Sequence, residues 1–157
     1  MISSKNNKKI LLVEDDSILA SLYKSILKMK GYEVILAFDG ENALSLLNSM
    51  EIKPILILLD LLLPKINGFD VLKDIKKTSI LKNIPVVILT NLSERKDAER
   101  TLEFGAVLYL IKSRYTPMEI VEKVEEILFA ACKEEKCLPK VKIITKDIIN
   151  SKKVILF

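Results

Sequence analysis

The sequence predicts an α/β protein, a doubly wound three-layer α/β/α sandwich around a five-stranded parallel sheet. Short, almost purely aliphatic runs alternate along the chain with amphipathic, charge-bearing segments, giving five strand–helix pairs. Strands that are aliphatic on both faces are typical of a parallel sheet covered by helices on each side. Half of the 157 residues are hydrophobic, enough for a proper core.

The first two pairs have clear boundaries. The apolar run at 8–14 predicts a strand, and Asp16 or Ser17 can cap a helix that extends to about Lys30. Gly31 ends that helix and the second strand follows at 32–38. Asp39 then caps a helix over 41–50, whose leucines and alanine recur at helical spacing. We therefore expect two successive strand–helix units.

The next two pairs repeat this order. PILILL (54–59) predicts a fully buried strand, and GFDVLKDIKK (68–77) predicts a helix. NIPVVILT (83–90) predicts the fourth strand. The charged segment 93–105 predicts a helix that ends at a glycine, a common helix terminator.

The fifth pair begins with AVLYLI (106–111), another aliphatic strand. Thr116 caps the last helix and Pro117 starts it. Proline is well tolerated at the first position of a helix. That helix extends to Cys132 and completes a body of 1–132.

Composition excludes several mechanisms. The chain has no histidine, which rules out Ser-His-Asp and Cys-His catalysis, histidine-ligated zinc and a phosphohistidine on this chain. Cys132 and Cys137 lack the CxxC spacing of a metal site, so packing or a free thiol is the better interpretation. The apolar runs are too short to span a bilayer and the polar start is no signal peptide, so we expect a cytoplasmic protein.

The net charge of +4 is unevenly placed. Residues 133–157, the C-terminal tail, hold seven lysines and three acidic residues, which accounts for the whole excess. The body is neutral and gives no electrostatic case for binding nucleic acid. KVKIIT and KVILF in the tail fit a β-hairpin or an added strand, and equally a basic strip without defined structure.

Polar residues collect where the predicted strands end. Asp60 is a lone carboxylate after ILILL, and such a group must be neutralised, paired or placed at an exposed edge. Glu14 and Asp15 end the first strand, Thr90 the fourth and Lys112 the fifth. The carboxyl ends of parallel strands share one sheet edge, which is where such sheets bind ligands.

This set of side chains supports a narrow chemistry. Carboxylates held close together repel one another and favour a cation, and all-oxygen ligands favour a hard cation such as Mg²⁺. An aspartate can act as a nucleophile that forms an acyl phosphate. Mg²⁺ could then neutralise part of the phosphoryl charge, while an ammonium pairs with another phosphoryl oxygen and a hydroxyl donates to a third. Asp60 is the candidate nucleophile, with Lys112 and Thr90 as the other two groups.

The motifs LLVEDD, ILLDLLLPKINGFD, VVILTN and GAVLYLIKS together resemble the receiver domain of two-component response regulators, over about 8–131. The resemblance implies a flavodoxin-like sheet of order 2-1-3-4-5 and a receiver domain at 1–132, followed by the tail. That tail is too short for a winged-helix or helix-turn-helix domain, so we expect a stand-alone protein without a DNA-binding domain. It implies a phosphoprotein whose donor is a sensor histidine kinase or phosphotransfer protein, with an unknown downstream protein target. Phosphorylation could also produce a homodimer.

The resemblance also implies site roles. Asp60 is then the phosphoacceptor, and Mg²⁺ is held by Glu14, Asp15, Asp60 and the backbone carbonyl of Leu62. Asp16 lies just past the acidic pair and is better explained as a helix cap. Lys112 senses the phosphoryl group, and Thr90 and Tyr109 form a switch pair. In that switch Thr90 moves inward and leaves space for the Tyr109 ring, which reshapes the surface of the fourth helix, fifth strand and fifth helix. Pro64 and Gly68 fit the family's acceptor loop.

Four positions depart from the family's usual pattern. Lys112 is followed by Ser113 rather than a cis proline, so we expect a trans peptide here. Asn91 replaces a small residue after Thr90 and either restricts access to the phosphoryl group or hydrogen-bonds to it. Leu62 and Leu92 are apolar where the family orders the attacking water, which predicts a long-lived phosphoryl group.

The sequence argues against three other functions. A phosphohydrolase with an aspartyl nucleophile commonly has a second aspartate two residues after the first, and here that residue is Leu62. A flavodoxin-like cofactor binder needs a glycine-rich or hydroxyl-rich phosphate loop, and EDDS presents negative charge instead. A degenerate receiver that binds no phosphate is disfavoured because the site residues are all present. We therefore expect a signalling protein that catalyses at most its own phosphorylation and dephosphorylation.

Overall fold

The computed structural model describes residues 8–133. Five strands and five α-helices alternate in that part of the chain, as the sequence predicts. The elements are β1 Lys9–Val13, α1 Ser17–Met29, β2 Glu33–Ala37, α2 Gly40–Ser49, β3 Leu56–Leu59, α3 Gly68–Lys77, β4 Val86–Thr90, α4 Arg95–Glu103, β5 Leu108–Ile111 and α5 Pro117–Lys133. The tail beyond Lys133, including Cys137, lies outside the described residues.

The strands form one parallel sheet of order β2-β1-β3-β4-β5, which confirms the predicted topology. All residues of β3 and β4 are buried, because helices cover both faces of the central strands. α1 packs against α5, and α2 packs against α3. This arrangement places the carboxyl ends of β1, β3, β4 and β5 at one edge.

Most differences from the predicted elements lie at their ends. The strands are shorter than predicted, mostly at their amino-terminal ends: β3 begins at Leu56 rather than at 54, β4 at Val86 rather than at 83, and β5 at Leu108 rather than at 106. α4 starts at Arg95 rather than at Ser93, and its N-cap Glu94 makes no capping bond through its side chain. A short 3₁₀ turn at Lys112–Arg114, which the sequence did not predict, joins β5 to the loop before α5.

Helix caps follow the predicted residues. The Asp16 carboxylate accepts hydrogen bonds from the amides of Ile18 and Leu19, which confirms Asp16 as a cap. Asp39 caps α2 through the Asn42 amide at 2.7 Å. No helix within 8–133 is long and apolar enough to cross a membrane.

Candidate functional site: an acidic pocket at the strand ends

The carboxyl ends of β1 and β3 bring the predicted acids together. The amide of Asp60 donates to the Val13 carbonyl at 3.1 Å, which fixes Asp60 beside the residue that precedes Glu14. Glu14, Asp15 and Asp60 each offer a carboxylate oxygen, and these oxygens lie within 4.8 Å of one another. The structure therefore forms the predicted acidic cluster.

Lys112 lies within this cluster rather than in solvent. Its ammonium donates to Asp60 Oδ2 at 2.7 Å and also forms an ion pair with Glu14 Oε2. The side chains of Lys112, Asp60 and Glu14 are 8%, 6% and 2% exposed. Of the three alternatives for Asp60, which were neutralisation, pairing and an exposed edge, the structure shows pairing within the pocket. The carboxylate is buried and paired, which removes the cost of an isolated charge.

Two carboxylates share one ammonium, so acidic groups outnumber basic groups in the pocket. Burial raises the pKa of the Glu14 carboxyl, and the hydrogen bond and charge of Lys112 oppose that rise. Burial alone would lower the pKa of Lys112, but the Asp60 and Glu14 carboxylates outweigh it and raise that pKa. Lys112 therefore stays ionised at neutral pH.

The donor set suits a hard cation. Asp15, unlike Glu14 and Asp60, is exposed and offers a carboxylate beside the buried pair. Carboxylate oxygens with no histidine or thiol nearby favour Mg²⁺, which commonly keeps several waters. The excess of carboxylates over ammonium groups among Glu14, Asp60 and Lys112 also favours a cation. The role of the Leu62 carbonyl as a further ligand stays a prediction.

The loop after Asp60 is held from two sides. The Leu62 amide donates to Asp60 Oδ1 at 3.1 Å, and the Gly68 amide donates to the Leu61 carbonyl at 3.0 Å. On the other side the Gly40 amide, at the start of α2, donates to the Pro64 carbonyl at 3.4 Å. Hydrogen bonds to Asp60, α3 and α2 thereby fix the backbone of this loop.

Lys65 contributes to the same loop by its charge. It adopts φ 64°, the left-handed region that costs a non-glycine residue about 1–2 kcal/mol. Its ammonium pairs with Asp39 at 3.1 Å and with Glu41 at 3.5 Å, both at the start of α2. These ion pairs join the start of α2 to the loop after Asp60.

We predict that Gly68→Ala destabilises the protein and displaces Asp60. A Cβ at this position would lie 2.6 Å from the Leu61 Cα and closer still to the Asp60 carbonyl, both backbone atoms that cannot move aside independently. Overpacking of this kind costs about 1–3 kcal/mol. Urea unfolding measures the loss. Gly31→Ala is the control for steric clash, since Gly31 has open space around it and a substitution there strains only the backbone. A Gly68→Ala protein as stable as the wild type would contradict the close approach.

The predicted switch pair lies beside the acidic cluster. Thr90 is fully buried at the end of β4, and the Leu92 amide lies 3.4 Å from its hydroxyl oxygen. The Tyr109 ring is also buried, and its hydroxyl donates to the Leu92 carbonyl at 2.9 Å. Burial raises the pKa of Tyr109, so it stays a neutral donor. The structure places Tyr109 in the inward position, and its movement on phosphorylation stays a prediction.

The structure also locates the residues at which the sequence departs from the family's usual pattern. No peptide bond within 8–133 is cis, so Lys112–Ser113 is trans as expected. Asn91 is exposed directly after Thr90, and Leu62 is 55% exposed. The Leu92 side chain packs partly against the core. Neither leucine places a polar side-chain atom near Asp60.

Sequence reasoning missed two contributions. Asn67 caps α3 by accepting from the Asp70 amide at 3.0 Å, and the Asn-Gly pair in the sequence was the available signal. The link from Lys65 to the start of α2 had no sequence signal, because it depends on the tertiary approach of two distant segments.

A family model for the response regulator receiver domain matches residues 10–125. With the sheet order and the acidic pocket, this match defines the class of protein. The chain belongs to the response regulator receiver family.

Similar proteins agree with this family. The transcriptional regulatory protein CpxR of Escherichia coli strain K12 is 44% identical over 121 residues, covering 76% of this chain and 49% of CpxR. PhoP of Bacillus subtilis, an alkaline phosphatase synthesis transcriptional regulatory protein, is 38% identical over 122 residues, covering 78% of this chain and 49% of PhoP. The chain thus spans about half the length of these curated relatives.

Solved structures give the same picture. The Mn²⁺-bound response regulator Rcp1 superposes with a TM-score of 0.69 at 38% identity, over 75% of this chain and 91% of that chain. The phosphorylated cyanobacterial phytochrome response regulator RcpA gives 0.71 at 32% identity, over 80% of this chain and 96% of that chain.

Proposed function

We propose that Asp60 accepts a phosphoryl group from the phosphohistidine of a sensor histidine kinase or phosphotransfer protein. The observation that carries this proposal is the Asp60 carboxylate, held by Lys112 and placed beside Glu14 and Asp15 at the sheet edge. In the transfer, an Asp60 oxygen attacks phosphorus, the P–N bond to histidine breaks, and the donor imidazole regains a proton from solvent. The phosphorylated and Mn²⁺-bound relatives support this chemistry.

Each site residue then has a defined task. Glu14, Asp15 and Asp60, with the Leu62 carbonyl, would hold Mg²⁺, which neutralises part of the phosphoryl charge. Lys112 already touches Asp60 Oδ2 and can pair with a phosphoryl oxygen without leaving the pocket. The Thr90 hydroxyl, buried at the end of β4, donates to another.

The signal then passes to the surface formed by α4, β5 and α5. Thr90 and Tyr109 connect the pocket to this surface, since Tyr109 is on β5 and its hydroxyl binds the Leu92 carbonyl before α4. New phosphoryl contacts at Thr90 therefore alter a segment that is continuous with α4. The readout is contact with a downstream protein, or formation of a homodimer.

We predict that incubation with Mg²⁺ and a small acyl phosphate gives one phosphoryl adduct, which Asp60→Asn abolishes. Asparagine keeps the size of the side chain but cannot form an acyl phosphate. Intact-protein mass spectrometry measures the adduct, and gel filtration with and without it measures dimerisation. Asp74→Asn, an exposed carboxylate on α3, is the matched control and keeps the adduct.

Two outcomes would contradict the proposal. An adduct that persists in Asp60→Asn would move the acceptor elsewhere. Sustained phosphate release from generic phosphoesters would favour the phosphohydrolase alternative, against which the apolar Leu62 argues.

A further inference from the structure

The loop after Asp60, residues 61–67, is closed at its base. The Gly68 amide donates to the Leu61 carbonyl at 3.0 Å, and the Leu62 amide donates to Asp60 Oδ1 at 3.1 Å. Leu62 therefore lies within a short closed segment, and its backbone carbonyl is the predicted backbone ligand of Mg²⁺. Because the segment is short, contacts that hold its far side also restrict the position of that carbonyl.

The far side of the loop lies on the first residue of α2. The Gly40 amide donates to the Pro64 carbonyl at 3.4 Å. A Cβ on Gly40 would lie 2.8 Å from the Ile66 carbonyl carbon and closer still to its oxygen, so the two backbones touch with no room for a side chain. Pro64 and Ile66, which flank Lys65 in the sequence, thus contact the same residue of α2.

Lys65 adds charge at the centre of this contact. Its ammonium pairs with Asp39 Oδ2 at 3.1 Å and with Glu41 Oε2 at 3.5 Å, the two residues that flank Gly40. The other carboxylate oxygen of Asp39 accepts from the Asn42 amide at 2.7 Å. That hydrogen bond, together with Lys65, lowers the pKa of Asp39, and Asp39 in turn raises the pKa of Lys65. Both groups therefore stay ionised at neutral pH.

Stability alone does not account for a lysine at this position. Its φ of 64° is a backbone conformation that asparagine and glycine adopt at lower cost than lysine. The side chains of Lys65 and Glu41 are 59% and 67% exposed, and ion pairs between exposed groups contribute little to stability. What the lysine adds is a charged contact between the loop and α2.

We propose that Lys65 is a positioning residue for Mg²⁺, an inference that rests on the function proposed above. By pairing with Asp39 and Glu41, Lys65 holds the loop after Asp60 against the start of α2 and so keeps the Leu62 carbonyl available to the metal. Lys65 acts through the loop backbone, since its ammonium is paired with α2 and not with the carboxylates of the acidic cluster.

The sign of the effect separates this role from simple electrostatics. Lys65 is a cation on the loop beside a cation site, so removal of its charge alone would strengthen Mg²⁺ binding. Loss of a positioning contact would weaken binding, because a freer loop must be ordered when the metal binds. The two explanations therefore predict opposite changes in the Kd for Mg²⁺.

Isothermal titration of the full chain with Mg²⁺, at fixed ionic strength and without a phosphodonor, measures this Kd. We expect Lys65→Asn to raise the Kd about threefold, the scale of exposed ion pairs. Lys65→Arg keeps the charge and should leave the Kd unchanged. Lys96→Asn is the matched control, since it removes another exposed lysine that pairs with a glutamate, and it should not raise the Kd.

Stability gives a second readout, which a merely structural role would move in the other direction. Asparagine adopts the left-handed region more readily than lysine. Urea unfolding without Mg²⁺ should therefore find Lys65→Asn at least as stable as the wild type, although it binds Mg²⁺ more weakly.

A double-variant background tests whether the ion pairs carry the effect. Asp39→Asn/Glu41→Gln removes both partners, while asparagine can still cap α2. In that background Lys65→Asn should cause no further weakening of Mg²⁺ binding. Coupling between two sites is reciprocal, so Mg²⁺ should also slow hydrogen exchange of the Gly40 amide, and less so in Lys65→Asn.

Two results would overturn the proposal: a Kd for Lys65→Asn equal to or below that of the wild type, or the same rise in Kd in both backgrounds. A Lys65→Asn protein with an unchanged Kd that still forms the Asp60 adduct would remove only the positioning role. A wild-type chain that binds no Mg²⁺ and forms no adduct would remove the proposed function as well.

Discussion

Lys112→Met lowers the free energy of unfolding by about 3–5 kcal/mol, the cost of breaking a buried ion pair by removing one partner. Lys112 is the only cation within 4 Å of the Glu14 and Asp60 carboxylates among the described residues, and both carboxylates are almost fully buried. Methionine fills most of the lysine volume but leaves two like charges facing each other. Urea unfolding at neutral pH without divalent cations measures the loss.

Mg²⁺ should recover part of this stability. A cation that binds the folded state alone stabilises it by about 2.7 kcal/mol at a hundredfold excess over Kd. Because Lys112→Met removes the competing ammonium, we expect Mg²⁺ to stabilise the variant more than the wild type. Adding Asp60→Asn to Lys112→Met should also recover stability, since it removes one of the two unpaired charges.

Lys96→Met is the surface control for this series. Lys96 pairs with Glu94 at 2.8 Å but is 76% exposed, so the change should leave the free energy of unfolding almost unaltered. A Lys112→Met protein that loses as little as Lys96→Met would show that the carboxylates are hydrated or protonated in the folded protein. The buried ion-pair description would then be wrong.

The fold was predictable from the sequence because its signals are local. Aliphatic runs such as ILILL, with helix caps at Asp16 and Asp39, identify strands and helices without tertiary information. Parallel connections are almost always right-handed and their helices must cover both faces, which leaves few topologies. The exact strand ends depend on pairing with neighbours, and the predicted strands were therefore too long.

The sequence predicted which side chains lie together at the strand ends, but not how their charges are paired. The strand-end rule brought Glu14, Asp60 and Lys112 to one edge. It could not show that the Lys112 side chain is directed inward and pairs with two carboxylates, because that depends on the path of β5 and the 3₁₀ turn after it. The link between Lys65 and Asp39 was unpredictable for the same reason, since its two residues are distant in sequence.

Leu62→Asn should shorten the lifetime of the phosphoryl group on Asp60 by about tenfold or more. Hydrolysis requires a water positioned for attack on phosphorus, and Leu62 lies at the rim of the pocket with an apolar side chain that is 55% exposed. An amide at this position can hydrogen-bond to that water. A tenfold change in rate corresponds to about 1.4 kcal/mol of activation free energy. One hydrogen bond that forms only in the transition state can supply that amount.

The measurement is the decay of the adduct after the phosphodonor is removed, followed by mass spectrometry in Mg²⁺. Leu62→Met is the matched control, since it keeps an apolar side chain of similar volume and should leave the lifetime unchanged. Ile80→Asn makes an apolar-to-amide change at another exposed side chain, in the loop between α3 and β4, and should also have no effect. Because Leu62 is largely exposed, its replacement leaves the core intact, and any change in lifetime reports on the chemistry at Asp60. A wild-type lifetime as short as that of Leu62→Asn would mean that another group already positions the water, and the apolar rim would then have no part in preserving the phosphoryl group.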